Sequence, residues 1–67
     1  MRQLRKARNR RVIIHSSDHV FEGVLVQADY EGIELVKVRE VSNPSNPVPL
    51  DGALLVPCTS ILFAQVL

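Results

Sequence analysis

His19-Val-Phe-Glu-Gly-Val-Leu-Val-Gln-Ala-Asp-Tyr-Glu-Gly-Ile-Glu-Leu-Val36 reads as a strand, a tight acidic turn and a return strand. The outgoing strand carries Phe21, Gly23 and Leu25 at alternate positions and ends at Asp29. A glycine inside a strand weakens it, so it marks a sharp bend or the close approach of another backbone. Asp29-Tyr30-Glu31-Gly32 has turn chemistry, with Gly32 free to adopt a positive φ. A bent strand followed at once by a tight return points to a small, strongly bent β-barrel.

Outward from this hairpin the chain keeps the same character. Val12, Ile13 and Ile14 are β-branched and suit a strand, and Ser16-Ser17-Asp18 is a turn leading from it into the hairpin. Ile33 to Val41 continues the return strand, with Ile33, Leu35, Val36, Val38 and Val41 set against Glu34, Lys37, Arg39 and Glu40. Residues 42–52 hold three of the four prolines and are expected to form a surface loop, because proline cannot donate to a central ladder. Ala53–Val56 and Ile61–Val66 are two further strands joined by Pro57-Cys58-Thr59-Ser60. Before all of these, Arg2 to Asn9 are good helix formers, with Leu4 and Ala7 on one side. The expectation is one helix and five short strands, in one domain over residues 1–67.

Sixty-seven residues bury only about 60% of their unfolded surface and fold marginally without help. Cys58 is the only cysteine, so no internal disulfide can supply it, and a reducing, cytoplasmic setting is the default. No apolar run approaches the roughly 18 residues needed to span a bilayer. The basic start is not followed by the apolar stretch of a secretory signal. Help is expected from copies of the same chain. In Ile61–Val66 only Gln65 is polar, so both faces are apolar, and Ala53–Val56 poses the same problem. Such an edge aggregates unless it is paired, and head-to-tail pairing closes into a ring when the rotation permits. The alternative is a monomer whose N-terminal helix covers that face.

The net charge of +1 conceals an asymmetry. Arg2, Arg5, Lys6, Arg8, Arg10 and Arg11 crowd the first eleven residues without an acid among them. The rest of the chain sets Lys37 and Arg39 against Asp18, Glu22, Asp29, Glu31, Glu34, Glu40 and Asp51. A basic arm, rich in arginine, on an acidic body suits a phosphate-bearing partner. It suits equally a solvated helix that keeps the protein soluble.

These residues resemble the Sm and Sm-like (LSm/Hfq) family over nearly the whole chain. The family's first motif is an aromatic, any residue, Gly, any residue, Leu, two residues, an apolar position and Asp. Phe21, Gly23, Leu25, Ala28 and Asp29 match it. The second motif is an apolar strand, a two-residue turn usually Arg-Gly, two residues, then Ile and an apolar strand. Leu54-Leu55-Val56, Pro57-Cys58, Thr59-Ser60 and Ile61-Leu62-Phe63 stand in those places. The resemblance implies an all-β fold: a small, strongly bent, five-stranded Sm-like (SH3-like) barrel with a short N-terminal helix and a variable loop between strands three and four. It implies a homo-oligomeric ring joined through residues 53–56 and 61–66. In the family an aromatic or His two residues after the Asp stacks on a base, an Asn four residues after it reads the base edge, and the Arg of the second motif packs opposite. Those positions here are Glu31, Ile33 and Pro57, so the uridine pocket is expected to be absent. Tyr30 stands one position early for stacking, an interaction worth about 1–3 kcal/mol per base.

Other chemistry is sparse. His15 and His19 flank the Ser-Ser-Asp turn and, with Asp18, give three candidate ligands where structural zinc takes four, so no metal is expected. Cys58 has no base near it in sequence and reads as a small turn residue. Asp29 suits a turn-closing role, compatible with a ligand contact. With no acid/base pair, phosphate-binding glycine loop or activated nucleophile, an enzyme is not expected, nor a cofactor. Two functions stand. One is a ring holding single-stranded RNA through Arg5, Lys6, Arg8, Arg10 and Arg11, with Asp29 and Tyr30 at the turn. The other is a structural or adaptor ring that has lost the RNA pocket and docks a protein partner.

Overall fold

Side chains of a strand alternate between faces, and the buried apolar positions follow that alternation except where the register of the paired strands slips, between Leu25 and Gln27 and opposite Lys37. Val12 and Ile14 of β1 (Arg11–Ser16), Leu25 and Ala28 of β2 (Val20–Ala28), and Ile33, Leu35 and Val38 of β3 (Gly32–Glu40) form one buried cluster. Val56 of β5 (Leu54–Pro57) joins it, and Ile61 and Ala64 of β6 (Ile61–Val66) pack against its rim. The computed structural model describes residues 2–67. Met1, the first residue of the expected domain, lies outside the described residues.

All pairings are antiparallel, in the order β4-β3-β2-β1-β6, with β5 pairing the other half of β3. Gly32–Leu35 face β5, whereas Val38–Glu40 face β4 (Val48–Leu50). The change of partner falls at Lys37, whose φ of 53° is left-handed, a conformation strained for a side-chain-bearing residue. Opposite it the β2–β3 register slips between Glu22 and Val24. Gly23 sits in that slip, and a Cβ there would lie 3.0 Å from the Val36 carbonyl oxygen. The central glycine therefore serves close backbone approach where the sheet folds over itself.

Two elements differ from expectation. Six strands form, because Val48–Leu50 of the proline-rich segment pairs with β3. Pro49 is tolerated because β4 is an edge strand. The N-terminal segment is a 3-10 helix, Arg2–Ala7, too short to nucleate a stable α-helix alone. In a 3-10 helix residues i and i+3 eclipse, so Leu4 and Ala7 point the same way, and both are buried. The helix packs on β2 rather than over the last strand. Leu62, Phe63, Val66 and Leu67 consequently remain exposed.

Glu40 ties the far end of the sheet together. Its carboxylate accepts from the Ser42 N–H at 3.0 Å, the Ser42 hydroxyl at 2.7 Å, the Val20 N–H at 3.3 Å and His19 Nδ1 at 3.1 Å. The Ser42 hydroxyl, and after it the Ser42 N–H, hold this carboxyl at about 2 against an ordinary 4.5; partial burial opposes them, and His19 and Val20 add to them. A depressed folded-state pKa means the stabilisation is complete above pH 4.5 and is lost as pH falls towards 2. Ser42→Ala is expected to move the Glu40 titration upward towards 4.5, followed by carboxyl-carbon NMR. An unmoved titration would refute the assignment of cause.

Candidate nucleic-acid interface

The acidic turn between β2 and β3 is closed by its own first residue. Asp29 Oδ1 accepts from the backbone N–H of Glu31 at 2.9 Å and of Gly32 at 3.2 Å, and the Asp29 N–H donates to the Gly32 carbonyl at 2.9 Å. Gly32 does not use a positive φ, as the turn chemistry had suggested; Gly52 is the glycine that does. Gly32 is needed instead because β5 lies against it, with the Val56 carbonyl oxygen 2.3 Å from where a Cβ would stand.

A 3-10 turn, Cys58–Ser60, joins β5 to β6 and is clamped to the acidic turn. Cys58 N–H donates to the Glu31 carbonyl at 2.9 Å, and its thiol donates to the Tyr30 carbonyl at 3.1 Å. Cys58 is half-buried and free, in keeping with a turn residue. The two turns bring Glu31, Ile33 and Pro57 around one open cleft with Asp29, Glu34 and Leu55. These are the three positions at which the family resemblance places a base pocket. Ile33 is only 4% exposed and belongs to the core, so it presents nothing to a base edge. Tyr30 is 79% exposed at the tip of the turn.

The basic arm is held by its apolar residues and backbone. Asn9, at φ 69°, reverses the chain, its N–H donating to the Leu25 carbonyl at 2.7 Å. The Leu25 N–H donates to the Arg10 carbonyl at 3.0 Å, fixing the arm along β2. Arg5 Nε donates to the Ala28 carbonyl at 3.2 Å. Arg5 and Arg8 then share a second cleft with Gln27, Ala28 and Asp29.

The arginines expected to act together therefore divide. Arg10 Nη2 reaches the Leu67 carbonyl at 2.8 Å, beside the end of β6, and Arg11 lies 4.0 Å from Glu22, which also pairs with Arg39. Lys6 is exposed on the arm, and Tyr30 lines neither cleft. Gln27 lines both, and sequence reading passed over it. Its signal was a single polar residue in the otherwise apolar run Val24–Ala28.

The histidines are directed apart. His15 Nε2 meets Gln65 Oε1 at 2.9 Å and stacks on Phe63 at 4.1 Å, while His19 meets Glu40. Among the described residues no group of three His, Cys, Asp or Glu side chains could hold a metal ion, and no helix is long and apolar enough to cross a membrane.

β5 and β6 each pair on one edge only within the described residues. Beside those open edges Leu55 is 72% and Leu62 67% exposed.

No family model and no curated protein matches this sequence. Solved structures do. A heptameric archaeal Sm protein superposes with a TM-score of 0.86 at 20% identity, covering 100% of this chain and 98% of that one. The Pyrococcus abyssii Sm protein in complex with a uridine heptamer gives 0.86 at 13% identity, covering 98% and 94%. A chain of the NatC complex bound to CoA gives 0.81 at 22% identity, covering 94% and 82%. The chain has the Sm fold.

Proposed function

We propose that copies of this chain close into a ring and that the ring binds single-stranded RNA on the face carrying the basic arm. The carrying observation is the pair of unlike open edges, β5 and β6, each flanked by exposed leucine. Unlike edges pair head to tail, which generates rings. The heptameric assembly of one Sm-fold neighbour and the uridine heptamer held by another support the reading. Arg5, Lys6 and Arg8 contact phosphates in this reading, multiplied by the number of copies, while Arg10 and Arg11 are turned towards Leu67 and Glu22. Glu31 stands where a base would stack and repels phosphate, so the strand follows the arm rather than the acidic turn. Catalysis has no part in it.

The test is fluorescence anisotropy with a short labelled RNA. Alanine at Arg5, Lys6 and Arg8 together is expected to weaken binding at low salt by about tenfold or more. The same substitution should flatten the salt dependence by about one unit of slope for each phosphate no longer neutralised. Binding that ignores the triple substitution would end the RNA reading.

A second reading has its own support. The likeness to a chain of the NatC complex, together with Glu31, Ile33 and Pro57 at the pocket positions, favours a structural adaptor whose edges or acidic side engage a protein partner. Copurification separates the two. A bound protein with a nucleic-acid-free absorbance ratio supports the adaptor, and carried-over nucleic acid supports the RNA-binding ring.

A further inference from the structure

We infer that the cleft beneath the arm, between Arg8 and Asp29, is a base pocket that prefers guanine. The inference rests on the reading of the arm as an RNA-binding face. The cleft has a volume of about 430 Å³ and is lined by Arg5, Arg8, Gln27, Ala28 and Asp29. Two arginines and an aspartate thus line one space. Among the described residues, neither arginine forms an ion pair with Asp29. Asp29 spends Oδ1 on the two turn N–H groups, and among the described residues Oδ2 accepts no hydrogen bond. Arg5 is pinned through Nε to the Ala28 carbonyl, which leaves its terminal nitrogens for a flanking phosphate.

A group that fits between separated cation and anion must carry acceptors at one end and donors at the other. Guanine does: O6 and N7 accept, the pair that arginine contacts in bidentate fashion, and N1–H and the N2 amino group donate on the other edge. The Asp29 carboxylate accepts them through Oδ2, since Oδ1 already takes the two turn N–H groups. Adenine places an amino donor beside N7, towards the arginine, and an acceptor towards the carboxylate. Cytosine likewise lacks a ring N–H. Uracil offers one acceptor and one donor, a partial match. Gln27, an amide that can donate or accept, flanks the same space.

The test uses a short oligouridylate in which one central base is replaced in turn by guanine, adenine, cytosine, hypoxanthine or 7-deazaguanine, read by anisotropy at one salt concentration. Guanine is expected to bind about tenfold tighter than adenine or cytosine, the discrimination typical of one good bidentate pair. Hypoxanthine, which lacks the N2 amino group, and 7-deazaguanine should each lose most of that gain. Asp29→Asn keeps an oxygen for the turn and turns an amide donor into the cleft, so it should bring the guanine oligomer down to the level of the uridine one. Gln27→Ala leaves the turn untouched and should reduce the same ratio. Equal affinity for all bases, or a preference that survives Asp29→Asn in a folded protein, overturns the guanine pocket while RNA binding stands. Absence of binding to every oligomer overturns the RNA reading and the pocket with it.

Discussion

Leu62→Glu combined with Val66→Glu is expected to convert a multi-subunit ring into single folded subunits. By alternation both residues lie on the same side of β6 as Ala64, which packs against the core. They extend that apolar surface towards the strand edge, where Leu62 stays 67% and Val66 44% exposed. Burial of two such side chains against a neighbouring β5 supplies about 2–4 kcal/mol per interface, and an unpaired carboxylate in its place costs more. Every interface around a ring carries the same lesion. Light scattering after size exclusion should show the mass fall to that of one subunit, with the β-sheet circular dichroism retained. An unchanged mass would remove β6 from the interface, and a wild-type protein that is itself a single subunit would remove the ring.

Gly32→Ala is expected to destabilise the subunit by about 3 kcal/mol or more, the upper range for overpacking. The added methyl would stand 2.3 Å from the Val56 carbonyl oxygen and 3.0 Å from the Pro57 Cα. Both are backbone atoms, so no rotamer change relieves the clash. β5 must leave β3, taking Val56 out of the core and breaking a pairing that runs only from Gly32 to Leu35. For a chain of 67 residues, a size at which folded states are marginal, that loss is a large share of the whole. Urea unfolding measures it. A midpoint equal to that of wild type would show that β5 does not lie so close to Gly32.

The hairpin was legible because its signals are local. Phe21, Gly23 and Leu25, then Asp29 closing its own turn, can be read from neighbours along the chain, and the structure places all of them as expected. β4 was not legible, since three residues around a proline pair only because β3 passes beside them. Gly32 was recognised as necessary for the wrong reason. Its turn context suggested positive φ, whereas the demand comes from Val56, far along the sequence. The candidate site shows the same division. The six cations of the arm look alike in sequence. Only the reversal at Asn9 and the line of β2 send Arg5 and Arg8 towards Asp29 and Arg10 towards Leu67.

Residue order alone therefore determined five of the strands, the bend at Gly23, the apolar borders of the last two strands and the basic arm, because propensity and alternation act over a few neighbouring residues. Tertiary structure decided which of those features meet: the sixth strand, the clamp of Cys58 on the acidic turn, and the convergence of Arg5, Arg8, Gln27 and Asp29. Those meetings depend on where the sheet bends and on the register in which distant strands pair, and no local pattern encodes either.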